Sequence, residues 1–411
     1  MKNNFQVIEK LMGEYKTSFY LYDEIIINQQ LDLLLGGFTQ FEFLYSIKTN
    51  PFRPIVDFVV SKGFGADAAS AQEVIIGEEA GLPREKIFYS TPGKTKNDIE
   101  NTIDKAIIIG DSFNELVLIN DLAKEKEIQI NVGLRINLNY NMEGGKGSSS
   151  KFGVDEESLM GQRSFIKELT NIKISGIHVH LRSQVLDYQK LYNYYEKVFK
   201  LAEFCKYNLD WDLDFINFGG GLGVVYSQEN DNPLDIKSLA NGCRELVERF
   251  KEKSGIRLLI ETGRFVVCQG GQYITYVVDI KESMGEKFLI VEKGLNGFLR
   301  PSIVELLNLY TREGEELKAA EPLFTTKDAF EFIIPQGNPS KMERVTIAGS
   351  LCTAMDVMVK DIRLPKAKIG DIVIVTKAGS YAYSLSPIHF ASHQPPLEFY
   401  VKTNGNIIEA H

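Results

Sequence analysis

Lys48 ends the apolar run Phe43-Leu44-Tyr45-Ser46-Ile47 and is followed at once by the turn Thr49-Asn50-Pro51. A primary amine at the end of a buried strand is costly unless it is paired, deprotonated or used covalently. A Schiff-base lysine meets that condition, because desolvation lowers its pKa and leaves a nucleophilic neutral amine. The plainer reading is a strand-end lysine whose head group reaches solvent along an apolar stem. Other groups that could do chemistry follow downstream. Asp67 stands in Phe64-Gly65-Ala66-Asp67-Ala68-Ala69-Ser70, and two histidines stand in Gly176-Ile177-His178-Val179-His180-Leu181-Arg182-Ser183-Gln184. Then come Asn217-Phe218-Gly219-Gly220-Gly221-Leu222-Gly223 and Glu261-Thr262-Gly263-Arg264. Near the end are Gly349-Ser350-Leu351-Cys352-Thr353-Ala354-Met355-Asp356 and Ala378-Gly379-Ser380-Tyr381.

Taken singly, each has a bland reading beside the sharp one. The triplet Gly219-Gly220-Gly221 can bring bare backbone N–H groups up to a phosphate, but any tight turn uses glycine. His178 and His180 point the same way from a strand, which raises a metal pair; no third ligand of suitable spacing appears, so no metal is expected. Glu261, after Leu258-Leu259-Ile260, could simply ion-pair with Arg264. A lone cysteine such as Cys352 is more often a small hydrophobe than a reagent.

The elements that must position these groups alternate strongly. Strands are expected at Phe41–Ile47, Phe64–Ala66, Ile87–Tyr89, Ala106–Ile109, Gln129–Ile136, Ile174–Val179, Phe215–Phe218 and Leu258–Ile260. Helix-like segments lie between most of them, among them Pro51–Lys62, Ser70–Ala80, Asn114–Lys124, Tyr188–Cys205 and Ile236–Lys253. Near-continuous apolar strands joined by helices argue for parallel strands buried on both faces. Eight of them match a (β/α)8 barrel over residues 22–267, whose chemistry sits at the strands' C-terminal ends. Lys48, Asp67, His180, Gly219–Gly221 and Glu261 all fall just after an expected strand. An open doubly wound sheet would give the same alternation, so closure is not decided by it. After Val267 the runs Gln272–Ile280, Lys287–Val291, Ala329–Pro335, Glu343–Ile347 and Ile372–Thr376 lack long intervening helices, which implies a mostly β second domain over 268–411. Asn139–Ser150 reads as a flexible Gly/Ser-rich loop, open to a role near the substrate mouth.

Composition narrows the class. The 411 residues, 44% hydrophobic and 25% charged, suit a catalytic domain plus a smaller one, and a net charge of −9 gives no footprint for nucleic acid or an anionic membrane. Cys205, Cys243, Cys268 and Cys352 have no metal spacing, and neither a signal core nor a membrane-length apolar run is present, so a cytoplasmic protein with reduced thiols is expected.

Six motifs in one order, over nearly the whole chain, resemble the alanine-racemase-like (fold type III) pyridoxal-phosphate decarboxylases, the family of diaminopimelate and ornithine decarboxylases. The resemblance implies a pyridoxal 5'-phosphate cofactor on Lys48, with Glu261 holding the pyridine nitrogen protonated so that the ring acts as an electron sink. It implies phosphate contacts from Gly219, Gly220, Gly221, Gly263, Arg264, Tyr381 and Ser183. His180 is implied to stack on the cofactor face, with Asp67 and Arg135 beside it. It also implies that residues 1–21 join the β domain, and that Cys352 reaches a partner subunit's site to protonate the carbanion left by CO2, hence a homodimer. Arg182, Arg300, Thr353 and Asp356 match substrate-binding positions. A racemase of this fold would usually pair the pyridine nitrogen with arginine rather than Glu261. A small non-catalytic carrier of the cofactor would lack the β domain.

The departures bear on substrate. Thr353 stands where diaminopimelate decarboxylases carry a glutamate for the distal ammonium, Arg182 replaces a glycine, Thr262 a proline, and Val304 a tyrosine. A lost carboxylate and a new arginine turn the distal pocket from a zwitterionic head group. The Leu351-Cys352-Thr353 and Ser384–His393 segments are closer to a biosynthetic branch that includes a decarboxylase of glutamate tethered to an acyl-carrier protein and siderophore-pathway decarboxylases. The expected reaction is therefore amino-acid α-decarboxylation on a specialised or carrier-tethered substrate, with meso-diaminopimelate as the alternative.

Overall fold

Eight short apolar runs form parallel strands sealed on both faces, as their composition requires. They are β1 (Glu42–Ser46), β2 (Gly65–Ala68), β3 (Ile87–Tyr89), β4 (Ile107–Gly110), β5 (Ile130–Asn137), β6 (Ile172–His178), β7 (Phe215–Asn217) and β8 (Arg257–Thr262). Each pairs with the next, and β8 returns to β1 in the register Leu259↔Glu42 to Thr262↔Tyr45. That last pairing closes the barrel and excludes the open sheet. The computed structural model describes residues 5–226, 231–250, 255–310, 323 and 328–409. Contacts divide the chain into one unit of Leu31–Val224 and Pro233–Gly263 and another of Met1–Gln30, Val225–Asn232 and Arg264–His411.

Helices follow the expected segments. Ser70 caps Ala71–Glu79 by accepting the Glu73 N–H, and Ser112 caps Phe113–Glu125 by accepting that of Glu115. Tyr188–Leu209 runs four residues past Cys205, and Ile236–Arg249 is followed by residues 251–253, which lie outside the described residues. Inside the barrel, Leu44, Phe88, Ile107, Ile109, Phe215 and Leu259 form one buried cluster. The Phe88 and Phe215 rings meet edge to face at 5.1 Å.

The other unit is mostly sheet. Its strands run Val357–Lys366, Asn338–Gly349, Glu286–Val291, Gly271–Ser283, Phe19–Asp23, Leu397–Val401 and Ile407–Glu409, with Ile372–Val375 also on Gly271–Ser283 and Phe332–Ile333 beyond it. Ile8 and Leu11 of the helix Phe5–Tyr15 cover Phe19, Leu21, Ile274, Ile372, Ile374 and Phe399. Four of these strands, at Phe19, Val357, Leu397 and Ile407, were not expected. Nor was the helix Leu299–Tyr310, whose Pro301 lies in its first turn where a missing N–H costs nothing.

Phe215 fills the space left by glycine on β6: a Cβ added at Gly176 would fall 2.2 Å from its ring. Gly176→Ala is therefore expected to destabilise the barrel by about 1–3 kcal/mol, the range for overpacking a filled core. Urea unfolding should show a lowered midpoint with an unchanged slope; an unmoved midpoint would mean that the ring can shift freely.

Candidate active site

β1 ends at Ser46 and the chain makes a single 3-10 turn, Ile47–Thr49, fixed by Asn50 N–H to Ile47 O and Thr49 Oγ1 to Ser46 O at 2.7 Å. The turn sets Lys48 Nζ 2.5 Å from Asp67 Oδ2. Asp67, with no exposure, also accepts from Ser46 Oγ at 2.7 Å and from Ser90 Oγ at 2.8 Å. The strand-end amine is thus ion-paired, and its side chain is still 41% exposed. A Cβ at Gly263 would lie 2.4 Å from Thr49 Cγ2, so a glycine there is what lets the end of β8 rest on the lysine's turn. Ser46 and Ser90 have no sequence signature; they become visible only when β1, β2 and β3 lie side by side.

Glu261, in β8, is buried. Its Oε1 accepts from Asn217 Nδ2 at 2.9 Å and lies 3.1 Å from His178 Nε2. Burial by itself would raise this carboxyl; His178, Lys48 and His180 outweigh that and hold it well below the usual carboxylate range. Burial pushes the His178 pKa down against the pull of Glu261. After β7 the backbone turns through Gly219 (φ +66°) and Gly221 (φ +134°), where a Cβ would fall 2.3 Å from Val179 O and 2.9 Å from Arg182 O. Gly219 N–H donates to Asn217 Oδ1 at 2.9 Å, and Gly220 N–H to His180 Nδ1 at 3.0 Å. His180 Nδ1 is therefore an acceptor, which leaves the proton of the neutral ring on Nε2, 3.4 Å from Ser183 Oγ. Of the triplet, Gly221 alone has an N–H with no acceptor among the described residues.

Around the same strand ends, Arg135 of β5 lies under the Phe152 ring (4.4 Å) and 3.8 Å from Asp111 Oδ1. Asp111 Oδ2 takes the Gly153 N–H at 3.1 Å. Arg182 and Lys190 both pair with Glu143, one on each carboxylate oxygen, and all three are at least a third exposed. Every barrel strand thus delivers a polar group at its C-terminal end.

Within the other unit, Arg264 Nη1 donates to Tyr226 OH at 2.8 Å, and its guanidinium lies 4.7 Å over the Tyr381 ring. Arg300 Nη1 donates to the same phenol at 3.2 Å and to Ser380 O at 3.1 Å, and Nε to Leu323 O at 3.1 Å. Arg300, where a substrate contact was expected, has no exposure in the chain taken alone. Asp356 is likewise enclosed: Oδ1 takes the Leu295 N–H at 2.6 Å and Oδ2 that of Leu351 at 2.9 Å. It clamps the loop that carries Cys352, which is exposed, and Thr353, whose N–H donates to Leu351 O. Tyr226 was not among the expected residues.

Glu73 is a second surprise. Its Oε2 takes the Ala69 N–H at 2.7 Å, and burial raises its pKa to about 7, with Lys48 opposing and Asp67 adding to the shift. Its folded pKa lies above its ordinary 4.5, so the proton it holds stabilises the fold below pH 4.5 and that stabilisation is lost as the pH rises to about 7. Glu73→Gln should flatten the fall in apoprotein stability across that window, by up to about 3 kcal/mol. Thermal melts at successive pH values read it, and parallel curves for the two proteins would refute the shift.

A family model for pyridoxal-dependent decarboxylases, describing their pyridoxal binding domain, matches residues 26–268. The L-glutamyl-acyl-carrier-protein decarboxylase of Niallia circulans is 29% identical over 97% of this chain and 92% of its own. The diaminopimelate decarboxylase of Helicobacter pylori strain J99 is 30% identical, over 92% of this chain and 89% of its own. The crystal structure of Helicobacter pylori diaminopimelate decarboxylase complexed with L-lysine superposes with a TM-score of 0.82 at 27% identity, covering 98% and 95% of the two chains. A lysine paired at the end of β1, a buried carboxylate on β8 and a glycine turn after β7, on a barrel of this kind, agree with that match, and the chain belongs to the fold type III pyridoxal-dependent decarboxylases, enzymes that take an amino-acid substrate.

Proposed function

We propose that this decarboxylase acts on an amino acid whose distal end is acylated, anionic or attached to a carrier protein. The residues fit pyridoxal phosphate on three counts: a primary amine held by Asp67, a buried carboxylate kept ionised, and a turn where Gly219 and Gly221 leave no room for a Cβ. When bound, the cofactor supplies the electron sink that lets an α-carboxylate depart as CO2. Lys48 Nζ is the amine that binds it covalently. Glu261 keeps the proton on its ring nitrogen, His180 orients the ring, and the Gly221 N–H, Arg264, Tyr381 and Ser183 take its phosphate. Asp67 and Arg135 set the charge beside these groups. Cys352 Sγ returns a proton to the substrate α-carbon.

The observation that carries the substrate reading is Arg182. It stands among the residues that follow β6 with Lys190 beside it, where the family pattern has glycine, while Thr353 replaces a glutamate. Two cations and a missing carboxylate disfavour an ammonium head group. The glutamyl-carrier relative from Niallia circulans supports this reading; the Helicobacter pylori relative supports meso-diaminopimelate as the alternative.

An exposed Cys352 on a loop clamped by Asp356 supports a homodimer in which this loop serves the partner's site. Four free thiols suit a reducing cytoplasm.

Purified enzyme given free and carrier-tethered amino acids should release CO2 with the tethered or acylated ones and turn over meso-diaminopimelate poorly. Turnover of meso-diaminopimelate at about 10^4 M⁻¹s⁻¹ or above would restore the alternative. Mixing Lys48→Ala with Cys352→Ala subunits should recover roughly a quarter of the activity, since half of the dimers are mixed and each holds one intact site. No recovery despite demonstrated subunit exchange would put both residues in one chain's site.

A further inference from the structure

His178 and Asn217 have no part in the roles given so far, yet both approach one oxygen of Glu261. Neighbours in the β6–β7 register, they are enclosed, at 1% and 0% exposure. Asn217 Nδ2 donates to Oε1 at 2.9 Å, and His178 Nε2 lies 3.1 Å from the same atom. Oε2 makes no hydrogen bond among the described residues. The Asn217 amide cannot flip: its Oδ1 takes the Gly219 N–H, so its Nδ2 must face the carboxylate. Neither Nδ1 nor Nε2 of His178 makes a hydrogen bond, Nε2 meeting Oε1 only as a close polar contact, so the ring is held in the core at a cost that its own bonding does not offset. What it does face is Glu261. Both side chains therefore act on one end of a buried charge and leave the other end unengaged.

We infer that His178 and Asn217 are positioning residues that hold Glu261 by Oε1, so that Oε2 is the oxygen presented to the ring nitrogen of the pyridine cofactor. The inference rests on the reading of Glu261 as the partner of that nitrogen. Without the two restraints, the carboxylate is free to turn toward Lys48 or His180, the other groups that act on it. Asn217 also ties the carboxylate to the start of the glycine turn, so one amide sets two parts of the site.

Equilibrium binding to the apoprotein tests this, using pyridoxal phosphate and its 1-deaza analogue, in which a C–H replaces the ring nitrogen. The readout is the ratio of the two affinities, which general loosening of the barrel does not move. The wild-type chain should prefer pyridoxal phosphate, and Glu261→Gln should erase the preference. Asn217→Leu should shrink it by about tenfold, the size of a lost hydrogen bond to a charged group, and His178→Phe, which removes the polar contact at Oε1, should shrink it in the same direction. His178→Gln, whose amide nitrogen reaches the place of Nε2, should keep it. If His178→Phe fails to fold, Asn217→Leu and His178→Gln carry the test. An unchanged ratio in the folded His178→Phe or Asn217→Leu chain, with Glu261→Gln still erasing it, overturns the inference alone. An unchanged ratio in Glu261→Gln overturns the pyridine assignment beneath it.

Discussion

A negative charge buried in a barrel has to be compensated by groups brought to it from other strands, and Glu261 makes that demand here. An uncompensated carboxylate in such a place would take up a proton instead. Asn217 and His178 on β7 and β6 meet part of the demand, and Lys48 and His180 the rest through space. These contributions come from strands that are neighbours only in a closed sheet, because β8 lies between β7 and β1. Barrel closure and an ionised Glu261 are two aspects of one condition.

The other unit works with the opposite charge. Arg264 and Arg300, both buried, converge on the Tyr226 hydroxyl, and Lys377 Nζ donates to the same residue's carbonyl at 2.6 Å. A phenol oxygen and two backbone carbonyls accept from these guanidiniums. The barrel presents an acid and a paired amine, and the second unit presents buried cations and a clamped cysteine loop.

The barrel was legible in the sequence because strands buried on both faces must be apolar throughout, and β3 at Ile87–Tyr89 falls where it was expected to the residue. Closure was not legible, since it depends on a pairing between residues 215 positions apart, Glu42 with Arg257, that leaves no local trace. Lys48, Glu261 and the glycines could be read because chemistry restricts their types. Asn217, His178, Ser46 and Tyr226 act through neighbours on other strands or loops, and polar residues of that kind carry no periodic signal. Val357–Lys366 was missed because much of it is solvated on both faces, so the two-residue alternation that marks a half-buried strand is broken. Arg300 and Asp356 were placed by motif position, and their burial among hydrogen-bond partners could not be read from it.

Glu143 has a consequence for measurements of affinity. It holds Arg182 and Lys190 from the stretch Asn139–Ser150, so any outside anion that uses those cations must first displace a carboxylate tethered to the same chain. A tethered rival does not dilute: its effective concentration is set by the length of its loop. The apparent dissociation constant of such an anion equals its intrinsic value divided by the fraction of molecules in which Glu143 has let go. Salt screens the exposed pairs within a Debye length of about 8 Å at physiological strength, which raises that fraction while also weakening the anion's own attraction. The two effects oppose each other, so binding here should depend on ionic strength far less steeply than a pair of exposed cations would otherwise dictate.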